Sequence, residues 1–211
     1  GQYVMLMGEN GTGKSSLISL LTGFKQEESG RILFLGKDLK EWLKDKRQKR
    51  DFYSRLGILF QDVDSQLFNC TVYDEIAFGP RQLGLTEEVS QRVQDTLSLL
   101  KIEDLRDRVP YQLSGGEKKK VAFASIMVTN PDVYILDEPF NNLSKEYEEF
   151  FRELLHELHS AGKTIIMSAH HFKHLHHEKA DVLLFEDGKA DFFPAQEVLS
   201  NQQVIERLSH Y

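Results

Sequence analysis

The sequence predicts an α/β fold: a mostly parallel sheet flanked by helices, with a helical subdomain inserted between its strands. Three observations carry that expectation. Short, wholly apolar runs recur along the chain and read as strands buried on both faces. Between them lie segments with apolar residues at spacings of three and four, the mark of amphipathic helices. The two kinds of segment alternate, which implies a parallel sheet covered on both sides.

Each element follows in order. Tyr3-Val4-Met5-Leu6-Met7 is the first apolar run, and a glycine-bearing loop leads from it into a helix over Ser15–Leu21. Gly23 is the stop of that helix. Ile32–Leu35 reads as a strand ending at Gly36. Glu41 to Arg55 is dense in charge and reads as an exposed helix or loop. Gly57–Phe60 is a strand ending at Gln61. From Thr71 to Val109 the pattern turns helical, with Val89, Val93, Leu97 and Leu100 on one face. Val133–Leu136 is a buried strand, and Ser144–Ser160 an amphipathic helix with Tyr147, Phe150, Phe151, Leu154, Leu155 and Leu158 on one face. Thr164–Ser168 and Val182–Phe185 complete the strands, and Asp187-Gly188 is a turn signal. The predicted organisation is one domain over 1–211, with a core from 1–66 and 111–211 and a helical subdomain over about 67–110.

Composition narrows the function classes. The 211 residues, 40% of them hydrophobic, supply one large core. A net charge of −7 argues against a broad basic face for nucleic acid. No apolar run approaches the roughly 18–20 residues of a membrane-spanning helix, and no charged-then-apolar leader opens the chain. The single cysteine, Cys70, cannot form an intramolecular disulfide and fits a reducing compartment. The expectation is a cytoplasmic protein that docks onto a membrane if it serves one. The first residue is Gly1 rather than Met, as in a chain trimmed or cut from a longer polypeptide.

Gly8-Glu9-Asn10-Gly11-Thr12-Gly13-Lys14-Ser15 is a full G-x-x-x-x-G-K-S match between a predicted strand and a predicted helix. Glycines let backbone N–H groups turn inward around a β-phosphate where a Cβ would obstruct. The helix that follows, with Ser15 and Ser16 in its first turn, aims its positive dipole end at the same phosphates. Lys14 supplies charge to the β- and γ-phosphates, and the Ser15 hydroxyl is a Mg²⁺ ligand. The pattern defines a phosphate-loop nucleoside triphosphatase. Leu136-Asp137-Glu138-Pro139 closes a strand, and its carboxylates face the crevice where open α/β sheets bind ligands. Asp137 is read as holding Mg²⁺ and Glu138 as orienting and polarising the attacking water.

Leu113-Ser114-Gly115-Gly116-Glu117, followed by Lys118-Lys119-Lys120, narrows the reading. Here the chain resembles the ATP-binding-cassette ATPases, whose signature is L-S-G-G-[QE] before a basic helix. Ser114 and the Gly115–Gly116 backbone can form a second anion site at a helix N-terminus. The resemblance implies that this site closes on the γ-phosphate held by another subunit, so that a complete site needs a second ATPase chain, identical or different. It also makes Gln61 a residue that touches Mg²⁺ and reports to a partner, and His170 a switch contacting the γ-phosphate. The implied activity is hydrolysis of ATP with Mg²⁺, coupled to transmembrane transport, at the cytoplasmic face of the cell membrane. Gln61–Phe68, Thr71–Pro80 and Leu83-Gly84-Leu85 look like the ATPase subunits of energy-coupling-factor importers of vitamins, cobalt or nickel. In that group the segment after the glutamine receives helices of a transmembrane coupling subunit.

The chain departs from the family at four places. Only two residues precede the first strand, so the upstream aromatic that stacks on adenine is absent from this chain. Ser144 stands where the family has aspartate; it can cap the next helix but lacks the charge. His171 stands where an acid is common, and with His174, His176 and His177 it reads as a solvated histidine-rich helix rather than a metal cluster. The chain ends at Tyr211, short of the dimerising extension that importer ATPases often carry. Two other classes remain in view: a regulatory module that binds ATP with little hydrolysis, and a cassette ATPase acting on DNA or ribosomes. The intact Gln61, Glu138 and His170 argue against the first. The second lacks the long coiled coils, second cassette or basic linkers its members carry.

Overall fold

The computed structural model describes residues 1–141, 143–169 and 180–209. Its main sheet is built from β1 (Tyr3–Met7), β4 (Leu56–Leu59), β5 (Val133–Leu136), β6 (Thr164–Ser168), β7 (Asp181–Glu186) and β8 (Lys189–Phe193). The strand order is β4-β5-β6-β1-β7-β8, with every pair parallel except β7 and β8. Side chains alternate between the two faces along each strand. Tyr3, Met5 and Met7 therefore enter one core while Leu6 enters the other, and Tyr134 and Leu136 likewise part from Ile135. Such two-sided burial is why these strands read as continuous apolar runs rather than alternating ones.

The helix α1 (Lys14–Leu21) covers one face through Ile18, which packs with Leu6, Ile135 and Phe185. The other face carries α6 (Gly115–Met127) and α7 (Lys145–Ser160), which bury Val121–Ala124 and Phe151, Leu154 and Leu155. The inserted region supplies α4 (Val72–Leu83) and α5 (Val89–Leu100). Thr71 caps α4 by accepting from the Asp74 N–H at 3.0 Å, and Gly84, in the left-handed region, ends it. Val93, Leu97 and Leu100 are fully buried, as their spacing predicts, and join the same core as the sheet.

Two segments differ from their sequence reading. The strand expected over Ile32–Leu35 is only β2 (Leu33–Phe34), paired antiparallel with β3 (Lys37–Asp38) in a separate hairpin. Leu35 and Gly36 both have positive φ, 51° and 75°, which makes a two-residue turn that reverses the chain early. The charge-dense stretch after it forms α2 (Leu39–Trp42) and α3 (Lys46–Ser54), and it is not wholly exposed. Phe52 is buried against Leu39 and Leu56, with the Phe34 ring edge-on at 5.1 Å. Two short helices, α8 (Ala195–Ser200) and α9 (Gln202–Leu208), follow β8, and Arg207 of α9 pairs with Glu186 and Asp191 at 2.6 and 2.7 Å. No described helix is long and apolar enough to cross a membrane.

Candidate active site

The loop between β1 and α1 wraps because three glycines take positive φ: Gly8, Gly11 and Gly13 at 135°, 82° and 116°. Gly8 is also steric, since a Cβ there would overlap the Phe185 carbonyl oxygen. Lys14 is buried, and its Nζ donates to the carbonyls of Gly8 at 2.6 Å and Glu9 at 2.8 Å. Burial pushes its pKa down, opposed by the nearby charges of Glu138 and Asp137. Thr12 closes the loop from within, its hydroxyl donating to the Glu9 carbonyl at 2.8 Å.

A cleft of about 370 Å³ opens above this loop, lined by Asn10, Gly11, Gly13, Lys14, Ser15, Ser16, Gln61 and Glu138. The structure thus brings together the phosphate loop, the glutamine after β4 and the second carboxylate after β5, three segments far apart in sequence. All follow the carboxyl ends of parallel strands, where open sheets present ligand-binding loops. A larger cavity, about 870 Å³, lies elsewhere, between α3 and the end of α4, with Arg47, Arg50, Leu83 and Leu85 in its walls.

The two acids are held differently. Asp137 continues the ladder through its N–H to the Leu59 carbonyl, and its carboxylate accepts from Ser168 Oγ at 2.6 Å. The same Ser168 oxygen accepts from the Glu138 N–H at 2.8 Å. Glu138 has a φ of 49°, the left-handed region, so the chain kinks immediately after the strand and turns this side chain into the cleft. Its Oε2 accepts from Gln61 Nε2 at 2.7 Å and from the Asn141 amide. Ser168, Asn141 and Lys119, whose ammonium donates to the Asn141 carbonyl at 2.9 Å, are site-supporting residues that sequence reasoning did not single out. The signal for Ser168 was present: a lone hydroxyl ending an apolar strand.

The signature lies apart from this cleft, with none of Leu113–Glu117 among its lining residues. Ser114 is the N-cap of α6 in a capping box: Glu117 Oε2 accepts from the Ser114 N–H at 2.8 Å and from its hydroxyl at 2.6 Å. Those bonds hold the Glu117 carboxyl below its ordinary pKa. The two glycines do different things. A Cβ on Gly116 would meet the Tyr147 ring at 2.9 Å, so this glycine serves helix packing, while Gly115 faces open space. The lysine run also divides. Lys118 pairs with Asp64 at 2.6 Å, Lys119 is buried, and Lys120 lies over the Tyr147 and Phe150 rings at 4.5 and 4.8 Å.

Ser144 caps α7, its Oγ accepting from the Tyr147 N–H at 3.4 Å. Among the apolar residues after Gln61, Val72 and Ile76 are core and Leu67 packs against it, whereas Phe68 and Phe78 are exposed and edge-on at 5.1 Å. Glu75, itself buried, ties this segment down by accepting from the Phe68 and Asn69 N–H groups at 2.9 and 2.8 Å. His170, with His171, His174, His176 and His177, lies outside the described residues.

A parallel sheet with a glycine loop clasping a buried lysine, opposite two strand-end carboxylates, defines a phosphate-loop nucleoside triphosphatase. A family model described as ABC transporter matches residues 1–141. The chain belongs to the ABC transporter family and is an ATP-binding ATPase of it. It is 47% identical to the nickel import ATP-binding protein LarO of Lactiplantibacillus plantarum, over 82% of this chain and 73% of that one. It is 38% identical to the energy-coupling factor transporter ATP-binding protein EcfA2 of Methanospirillum hungatei, over 98% of this chain and 52% of that one. Among solved structures, cbiO1 from Clostridium perfringens, part of the ABC transporter complex cbiONQ, superposes with a TM-score of 0.81 at 32% identity. That match covers 98% of this chain and 82% of the other.

Proposed function

We propose that this chain is the ATPase motor subunit of an energy-coupling-factor-type importer of a vitamin or transition-metal ion, working at the cytoplasmic face of the cell membrane. The observation that carries the reading is the meeting of Lys14, Ser15, Gln61 and Glu138 in one cleft that the exposed Ser114 and Gly115 do not line. One chain then offers half of each of two sites. Two chains, alike or different, sandwich two ATP molecules, each between one phosphate loop and the partner's signature.

In this reading the N–H groups of Gly8–Ser16, with Asn10 and Thr12 in the loop, cradle the phosphates. Lys14 exchanges its bonds to the Gly8 and Glu9 carbonyls for phosphate oxygens. Glu138 orients and polarises the attacking water, and His170 is read as the switch for the γ-phosphate. Leu113, buried beneath the signature, seats Ser114, and the Ser114 hydroxyl, the open Gly115 N–H and the start of α6 meet the partner's γ-phosphate. Gly116 and Glu117 hold that end in shape.

The donor set fits Mg²⁺, a hard cation that takes oxygen ligands from few protein groups plus phosphate. Gln61 turns its amide nitrogen to Glu138, which directs Oε1 elsewhere, and Ser15 lines the same cleft. Ser15, Gln61 and Asp137 would hold the ion, Asp137 through water. An ion held there would supply charge neutralisation to the phosphates during transfer.

Residues 1–66 and 111–211 act as the catalytic core and about 67–110 as the subdomain that passes motion to a transmembrane coupling subunit. The exposed Phe68–Phe78 pair supports docking on that subdomain. Mg²⁺-dependent hydrolysis measured against chain concentration tests the motor reading, with Glu138→Gln as control. A rate per chain that rises with concentration and vanishes in the control is expected; a flat rate shared by both proteins contradicts it.

A further inference from the structure

One buried lysine links the two ends of the chain that face nucleotide. Lys119 sits on α6 five residues after Ser114, about 7.5 Å along the axis at 1.5 Å per residue. Only 5% of it is exposed. Its Nζ reaches across to the turn after β5, donating to the Asn141 carbonyl at 2.9 Å and the Glu138 carbonyl at 3.4 Å. The Asn141 side chain completes the turn by donating to Glu138 Oε2, the oxygen that also accepts from Gln61.

Burial lowers the Lys119 pKa to about 8, so the cation is held there at a cost in desolvation. A methionine of similar length would fill the space without that cost. What methionine cannot supply is a pair of donors to the two carbonyls that shape the Glu138 turn. That turn needs holding, because Glu138 occupies the left-handed region unfavourable to a residue with a Cβ.

We propose that Lys119 and Asn141 are positioning residues that hold the Glu138 carboxylate toward Gln61 and tie this chain's signature helix to its own cleft. The inference rests on the ATPase reading above and adds a route by which one site reports to the other. A shift of Ser114 on engaging nucleotide held by the partner would reach the Glu138 turn through the Lys119 bonds. Neither residue touches the reacting atoms.

The test is steady-state ATP hydrolysis by the full chain, at concentrations that saturate dimerisation, for the parent, Lys119→Met, Asn141→Ala and the double variant. Displacing a catalytic group by a fraction of an ångström lowers kcat by about ten- to a hundredfold. Each single variant should show that loss with KM changed by less than about threefold. The thermal midpoint should stay within about 4 °C of the parent. Asn141 is solvent-exposed, so its variant folds even if Lys119→Met does not. In the double variant the two losses should fail to multiply, because both act through one turn. Parental kcat in either single variant, multiplying losses, or a kcat loss matched by a fall in thermal midpoint in both would overturn the inference. Turnover in the parent with none in Glu138→Gln leaves the ATPase reading standing whichever way the variants behave. No turnover in the parent removes that reading and this one with it.

Discussion

The phosphate-loop end and the signature end of this chain both present a helix start and glycines, yet they are built in opposite ways. At the loop, Lys14 is buried and bonded to the chain's own carbonyls, and a Cβ on Gly8 has no room beside Phe185. At the signature, the capping box satisfies the helix start internally, and a Cβ on Gly115 would meet nothing beyond its own helix within 4 Å. The first end lines a cleft of its own, and the second lies apart from that cleft. The proposed composite site rests on that difference.

The contrast can be broken by mutation, and the largest effect belongs to the loop. Lys14→Ala should lower turnover by about 10²–10³, the usual loss for one electrostatic stabiliser. Near-parental rates in that variant would remove the loop from the chemistry. Next come the glycines, read by urea unfolding. Gly8→Ala combines a clash with a strained φ and should cost about 3 kcal/mol or more. Gly115→Ala should change stability by less than about 0.5 kcal/mol, since its Cβ meets open space, while the composite-site reading predicts lower turnover. Equal destabilisation by both would erase the distinction drawn here.

A pH prediction sharpens the link between the ends. Lys119 has a folded pKa near 8 against an ordinary value of 10.5. Between those values the unfolded chain holds more protons than the folded one, so the Lys119 contribution to stability rises with pH across that window. The gain is up to about 3 kcal/mol, counting about 1.4 kcal/mol per unit. It appears as the difference between parent and Lys119→Met urea midpoints from pH 7.5 to 10. A difference that does not change with pH would contradict burial of the cation. A modest effect lies at the cap of α7: Ser144→Ala should cost about 1 kcal/mol, and Ser144→Asp, which keeps the cap, close to nothing. Faster hydrolysis in Ser144→Asp would show that the missing charge limits this enzyme.

Local patterns made much of this legible in sequence. Tyr3–Met7, Val133–Leu136 and Thr164–Ser168 fall where their apolar runs place them. The cleft gathers residues that the phosphate-loop and strand-end motifs name. What escaped was nonlocal. Phe52 lies hidden in a charge-dense run, and its burial depends on Leu39, Leu56 and the Phe34 ring. The turn at Asp187-Gly188 was readable, but the short, mostly exposed strand beyond it, Lys189–Phe193, shows itself only in its antiparallel pairing with β7. The lysine run read as one positive helix start, yet helix geometry sends Lys118, Lys119 and Lys120 to an acid, a buried turn and two aromatic rings. Ser168 acquires its role only once β6 lies beside the end of β5, whereas Asn141 acts within the turn itself, reaching back to Glu138.

The central claim is that each active site is shared between two chains, and mixing two inactive chains tests it most directly. One carries Lys14→Ala with an intact signature, the other Ser114→Arg with an intact loop. A mixed dimer of the two contains one site with both halves intact. Random pairing of equal amounts should therefore restore about a quarter of the parental hydrolysis, half the dimers each with one working site of two. Activity that stays at the level of the separate variants would contradict a shared site and place the chemistry within a single chain.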